Sequence, residues 1–251
     1  MLEIMRKNLL KLGAVISALL LGGYSIANAV PMDLLTLSDG LGDSVSLSVG
    51  GSPVYGGNAT GVVGFNQAGA ASWSGSLGVW TVSADAGYGP PSPGYGTAQL
   101  PVLDLNVMAS STGAGNLTFT WSVPNLGTSP GGFVAGNGGT LGTGASLKYS
   151  TFYSTANALP PAAGTTLTSP LAYITPGGFN GSDSATVGLL NSPFSLTQTI
   201  TIIDTRAATS SDYTTLTSVS VPDAGSTLIL LGTTMSMLGV YSRSRSKRQK
   251  A

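Results

Sequence analysis

Residues 194–204 read FSLTQTITIID, and Phe194, Leu196, Gln198, Ile200 and Ile202 alternate there against threonines. Side chains on a β-strand point to opposite faces with a period of two, so this run predicts a strand with one buried and one wet face. The period recurs in Leu34–Ser38 and in Ser44–Val49, where Val45, Leu47 and Val49 oppose Ser44, Ser46 and Ser48. It recurs in Ser76–Ala84, where Leu77, Val79 and Thr81 oppose Trp80 and Val82, and in Ser146–Ser154, where Leu147, Tyr149 and Thr151 oppose Lys148, Ser150 and Phe152. Val102–Ala109 and Leu117–Val123 share it and are separated by Ser110–Asn116, which reads as a hairpin. Tyr213–Val221 is expected to close the domain, with Leu216, Val219 and Val221 as its apolar side chains.

Between these runs the chain is punctuated by residues that stop strands. Val54–Gly69 reads as a turn and a weak strand, and Gly87–Gly96, with Pro90, Pro91 and Pro93, as a loop. The glycine-rich stretch Pro124–Gly144 is expected to be mostly loop, with Phe133 and Val134 as a possible short strand. Asn157–Pro170 reads as loop and Leu171–Ile174 as a short strand. No helical period interrupts the series. The expected fold is one all-β domain over residues 30–221, an antiparallel β-sandwich. Pairing of residues 44–49 with residues 196–203 is the one long-range contact expected.

Composition narrows the chemistry. The chain has no histidine, which removes the commonest general base and metal ligand, and no cysteine, which removes disulfides. Between Val30 and Val221 the acids are Asp33, Asp39, Asp43, Asp85, Asp104, Asp183, Asp204 and Asp212. The cations there are Lys148 and Arg206, which leaves a net charge of −6. That balance argues against a nucleic-acid partner. No G-x-S-x-G elbow is present, and no pair of aspartates is singled out for acid–base work. The expectation is a non-enzymatic protein with no catalytic residue, cofactor or metal. Asp39-Gly40-Leu41-Gly42-Asp43 offers oxygens to a calcium ion but lacks the closing acid of an EF-hand, and reads as aspartates in glycine turns. Asn58, Asn116 and Asn180 stand in N-glycosylation patterns. Trp73, Trp80, Trp121, Tyr88 and Tyr95 could stack on sugars if exposed; Trp80 and Trp121 read as core, Tyr88 and Tyr95 as surface.

The two ends carry the remaining signals. Residues 1–29 read as a secretory signal peptide. Arg6, Lys7 and Lys11 precede the apolar run Leu12–Leu21, and Ala27-Asn28-Ala29 forms a small-residue site for signal peptidase, with Ala27 and Ala29 as its recognition residues. At the other end, residues 222–251 read as a sorting segment. Val221, Pro222, Asp223, Ala224, Gly225 and Ser226 are followed by an uncharged apolar run over 227–241, then by a tail over 242–251 with Arg243, Arg245, Lys247, Arg248 and Lys250. A helix over Ser226–Tyr241 would be about 24 Å long, short against a hydrocarbon core of about 30 Å. The cations belong in the cytoplasm by the positive-inside rule, which places Asp223 and everything before it outside. Pro222 and Gly225 disfavour helix there and leave the motif extended.

This three-part order resembles the C-terminal sorting signal of PEP-CTERM proteins, in particular the variant that reads Val-Pro-Asp-Ser-Gly. Ala224 replaces the serine here, and Asp223 stands where the wider family has glutamate. The resemblance is confined to about the last 30 residues. It implies export through the Sec translocon, an intermediate in the inner membrane, cleavage at the motif by an exosortase, and release to the surface or extracellular matrix of a Gram-negative-type bacterium that makes exopolysaccharide or biofilm. Exopolysaccharide is then a possible partner. Two alternatives remain from other classes: a permanently membrane-anchored carbohydrate-binding module, and a secreted hydrolase using aspartates such as Asp104 and Asp204.

Overall fold

A computed structural model describes residues 32–67, 69–89, 101–129, 131–159 and 164–219. The expected signal peptide, with Ala27 and Ala29, lies outside the described residues. So do the motif Val221–Ser226, the helix over 227–241, the basic tail and Tyr95.

Among the described residues fifteen strands appear in chain order: β1 (Leu34–Ser38), β2 (Ser44–Ser48), β3 (Val54–Gly56), β4 (Thr60–Gln67), β5 (Ala70–Leu77), β6 (Trp80–Gly89), β7 (Val102–Ser111), β8 (Gly115–Leu126), β9 (Gly132–Leu141), β10 (Ala145–Ser154), β11 (Thr165–Thr166), β12 (Leu171–Tyr173), β13 (Gly177–Thr186), β14 (Phe194–Asp204) and β15 (Ala208–Val219). All pair antiparallel. The first sheet runs β11-β10-β14-β8-β1-β2-β3, with β12 also on β10, and the second runs β13-β9-β15-β7-β6-β5-β4. No helix is found among the described residues. The expected all-β antiparallel sandwich is present.

The alternation assigns the faces. Leu35, Leu37, Val45, Leu47, Phe119, Trp121, Ile200 and Ile202 from the first sheet are buried, as are Trp73, Trp80, Leu103, Leu105 and Leu216 from the second. Stacked sheets lie about 10 Å apart, which these side chains fill. All three tryptophans are in this core, so they are not available to stack on a sugar.

Several expectations need correction. Val102–Ala109 and Leu117–Val123 do not form a hairpin. β7 pairs with β6 and β15, whereas β8 pairs with β1 and β14 in the other sheet. Both strands turn an apolar face inward, so their sequence fits two strands facing across the core as well as two side by side. Residues 44–48 do not pair with β14; they lie between β1 and β3. The strand expected over Ser76–Ala84 is broken at Gly78, whose φ of +53° makes the turn between β5 and β6. The glycine-rich stretch Pro124–Gly144 holds β9, a ten-residue strand between β13 and β15. β6 runs to Gly89, into the expected loop. β15 starts at Ala208, and its inward positions are Ser210, Asp212, Thr214, Leu216 and Ser218, of which only Leu216 is apolar.

Candidate functional site

The polar inward face of β15 needs partners, because a buried polar group without a hydrogen bond is costly. Thr214 Oγ1 donates to the Leu105 carbonyl at 3.1 Å and lies 3.3 Å from Gln198 Oε1. Gln198 interrupts the apolar inward row Phe194, Leu196, Ile200 and Ile202 of β14, which Asp204 ends. The Tyr149 hydroxyl of β10 faces both Gln198 Oε1 at 3.1 Å and the Thr215 carbonyl at 3.0 Å. A polar cluster therefore bridges the two sheets inside an apolar sandwich.

Asp212 lies in this cluster, buried at 1% exposure. Burial pushes its carboxyl up to about 7, damped by the Asn137 side chain and the Tyr213 and Gly138 N–H groups nearby. Among the described residues, neither Asp212 oxygen nor Asn137 Nδ2 nor Gln198 Nε2 has a hydrogen bond of good geometry. Burial, then the Asp212 charge, pushes the Tyr149 and Tyr173 phenols up. Both tyrosines belong to the first sheet, on the paired strands β10 and β12, across from Asp212 of the second.

A cleft opens beside the cluster. β12 lies on the edge of the first sheet and β13 on the edge of the second, and Ile174–Pro176 joins them. The Tyr173 and Phe179 rings sit 4.4 Å apart with a tilt of 31°. Tyr173 donates its hydroxyl to Asn137 Oδ1 at 2.9 Å. A Cβ at Gly181 would collide with the Tyr173 hydroxyl, so a larger residue there would displace the ring from its bond to Asn137. The resulting cleft has a volume of about 440 Å³ and is lined by Tyr173, Phe179, Thr175, Pro176 and Asn180 among others. Aromatic faces next to an amide and a hydroxyl suit a small polar ligand with apolar faces, such as a sugar.

Of these residues the sequence singles out Asn180 alone, as part of an N-glycosylation pattern. Asn137 was hidden in a stretch read as loop, and Asp212 preceded the expected strand start. The parity of Ser210, Asp212, Thr214, Leu216 and Ser218 was the signal available. The residues that were singled out are dispersed. Asp104 is on the outer face of the second sheet, pushed up by burial and by Asp85 and held back by its own N–H. Asp204 is buried at the end of β14, where Ser111 donates to it at 2.5 Å. Burial raises it, and the serine partly offsets the rise. These two aspartates lie on different sheets and different faces. Asp39 Oδ1 accepts the N–H groups of Leu41 and Asp43 at 2.8 and 3.0 Å, and Asp43 Oδ1 accepts that of Asn58 at 2.6 Å. They close the β1–β2 turn, and among the described residues no cluster of three potential metal-ligating acids, histidines or cysteines occurs. Tyr88 is half-buried, and Asn58, Asn116 and Asn180 are exposed.

No family model and no curated protein matches the chain. Among solved structures it is similar to a carbohydrate-binding module in complex with β-1,4-galactotriose, with 12% identity, 55% of this chain and 86% of that chain covered, and a TM-score of 0.32. It is also similar to a cleaved adhesin domain of Lys-gingipain from Porphyromonas gingivalis, with 11% identity, 61% and 98% covered, and a TM-score of 0.31. A third is one of the carbohydrate-binding modules of the β-sandwich superfamily, with 10% identity, 74% and 84% covered, and a TM-score of 0.31.

Proposed function

We propose that the chain is a non-enzymatic cell-surface or extracellular-matrix protein, exported through the Sec translocon and trimmed by an exosortase within Val221–Ser226. The observation that carries this reading is the order of its parts. An acidic, cation-poor β-sandwich stands between two apolar segments whose basic flanks both belong on the cytoplasmic side. The end of the sandwich supports it further: β15 makes its last described pair at Val219 with Gly132, two residues before Val221. A protease therefore needs to unpick no described strand to reach the motif.

In this reading Pro222 and Gly225 keep the motif extended, Asp223 gives the protease a charge to read, and Arg243, Arg245, Lys247, Arg248 and Lys250 hold the tail inside until cleavage. The test is the intact mass of protein shed from the surface. A C-terminus between residues 222 and 226 that disappears when the exosortase is deleted is the expected result. Recovery of full-length, membrane-embedded chain alone rejects the proposal.

The Tyr173–Phe179 cleft favours a second reading, that of a carbohydrate-binding module which keeps its anchor. Retardation of the protein on neutral polysaccharide affinity gels, lost in Tyr173→Ala and in Phe179→Ala, supports it. Unchanged migration of all three proteins removes it.

A further inference from the structure

A carboxamide carbonyl is an electrophile, and a hydroxyl held against it in a dry site becomes a nucleophile once a base takes its proton. Gln198 and Thr214 stand in that relation. Both are fully buried, and Asp212 and Tyr149 beside them are 1% exposed. Thr214 Oγ1 lies 3.3 Å from Gln198 Oε1. An oxygen at the 3–3.5 Å of a near-attack conformer from the carbonyl carbon lies about that far from the carbonyl oxygen as well. The Tyr149 hydroxyl stands 3.1 Å from the same Oε1, where negative charge gathers when the carbonyl is attacked. Gln198 Nε2, the nitrogen that such an attack expels, has no hydrogen bond among the described residues to hold it back.

Asp212 completes the set. It stands two residues before Thr214 on the same inward face of β15, about 7 Å along the strand. Neither of its oxygens is engaged in a hydrogen bond of good geometry among the described residues, and its charge reaches Tyr149. Nucleophile, base, oxyanion donor and unheld leaving group are the parts of an acyl transfer.

We infer that Thr214 and Gln198 close into an ester that staples the two sheets together. Thr214 Oγ1 attacks the Gln198 carboxamide carbon, and the new C–O bond replaces the C–N bond. The hydroxyl proton passes through the Asp212 carboxyl to the amide nitrogen, which leaves as ammonia. Nothing is oxidised or reduced, and no other reactant is consumed. Ammonia takes up a proton in neutral water, which draws the exchange forward, and burial keeps water from hydrolysing the product. The bond joins β14 of the first sheet to β15 of the second. A chain without cysteine has no disulfide to do this. The reaction runs once per chain without turnover, so it stands beside the non-enzymatic reading.

Trypsin reads the bond directly, because Arg206 is the one lysine or arginine between Gln198 and Thr214. The full-length chain is folded, then denatured and cut. The peptide that ends at Arg206 and the peptide that starts at Ala207 should travel as one covalent species, lighter than their sum by one ammonia. Hydroxylamine should separate them and leave a hydroxamate at Gln198. Thr214→Val should give two free peptides of unaltered mass, and Thr214→Ser should still link. Asp212→Asn should link about 10²–10⁴-fold more slowly. Free, unaltered peptides from the natural chain overturn the inference. So does a linked species that persists in Thr214→Val or resists hydroxylamine.

Discussion

A carboxyl held up near 7 makes the fold respond to pH in a direction opposite to that of most carboxylates. The unfolded Asp212 titrates near 4, so between about pH 4 and 7 the folded chain holds a proton that the unfolded chain releases. Stability contributed by the protonated form is complete below that window and is lost as pH rises through it. Asp33, held up to about 6 by burial, pushes in the same direction, as do Asp104 and Asp204; Asp183, held low by the Ser169 and Ser184 N–H groups, works weakly against them. The chain is expected to melt higher at pH 5 than at pH 8. Asp212→Asn is expected to reduce that difference, leaving the part due to Asp33, Asp104 and Asp204, and to raise the melting temperature at pH 8. A wild-type melting temperature independent of pH contradicts the assignment. The tryptophans show the apolar counterpart. Trp121 is fully buried and its Nε1 donates to the Gly87 carbonyl at 3.1 Å, stitching one sheet to the other. Trp121→Ala is expected to cost about 3–5 kcal/mol, read as a lowered denaturant midpoint, with the orphaned carbonyl adding to the cavity.

Among the elements, the turns are the vulnerable points. Gly131, with φ of +81°, presses against the Gly188 backbone so closely that any Cβ would overlap it. Gly131→Ala is expected to break the Val187 N–H bond to the Gly131 carbonyl, at 2.9 Å, and free the end of β13. Faster amide exchange confined to residues 177–187 would show it, and unchanged exchange there would count against this account. The same elements show what could be read in advance. β2 and β14 are legible because apolar residues alternate there against serine or threonine, and β10 because Leu147 and Tyr149 alternate with Lys148 and Ser150; burial of one face leaves that trace. β9 and β13 are not, because GFVAGNGGTL and GGFNGSDSAT carry little apolar alternation. Partners on both sides make β9 a strand, and propensity does not. Pairing was the least legible feature. Leu103–Ala109 and Leu117–Val123 show the same apolar face whether they are neighbours in one sheet or opposed in two. For the same reason the Tyr173–Phe179 cleft was invisible, since it exists only where the edges of two sheets meet.

At the scale of the whole molecule, the last two described strands are not peripheral. β14 lies between β10 and β8, and β15 between β9 and β7. Remove both and each sheet falls into two pieces, with Trp121 and Leu103 among the side chains uncovered. β15 must reach back about a hundred residues to pair with β7, and β14 pairs with β8 at Phe194–Leu126 and Asp204–Gly115, so both close long loops, which makes for slow folding. A chain truncated before Phe194 is expected to be cut rapidly by protease under conditions in which the full chain resists; resistance of the truncated chain would contradict this dependence. The position of β15 also has a consequence for timing. Synthesis proceeds from the first residue to the last, so of the described strands these two keystones emerge after all the others. Until they arrive neither sheet has its centre, and the sandwich locks shut late.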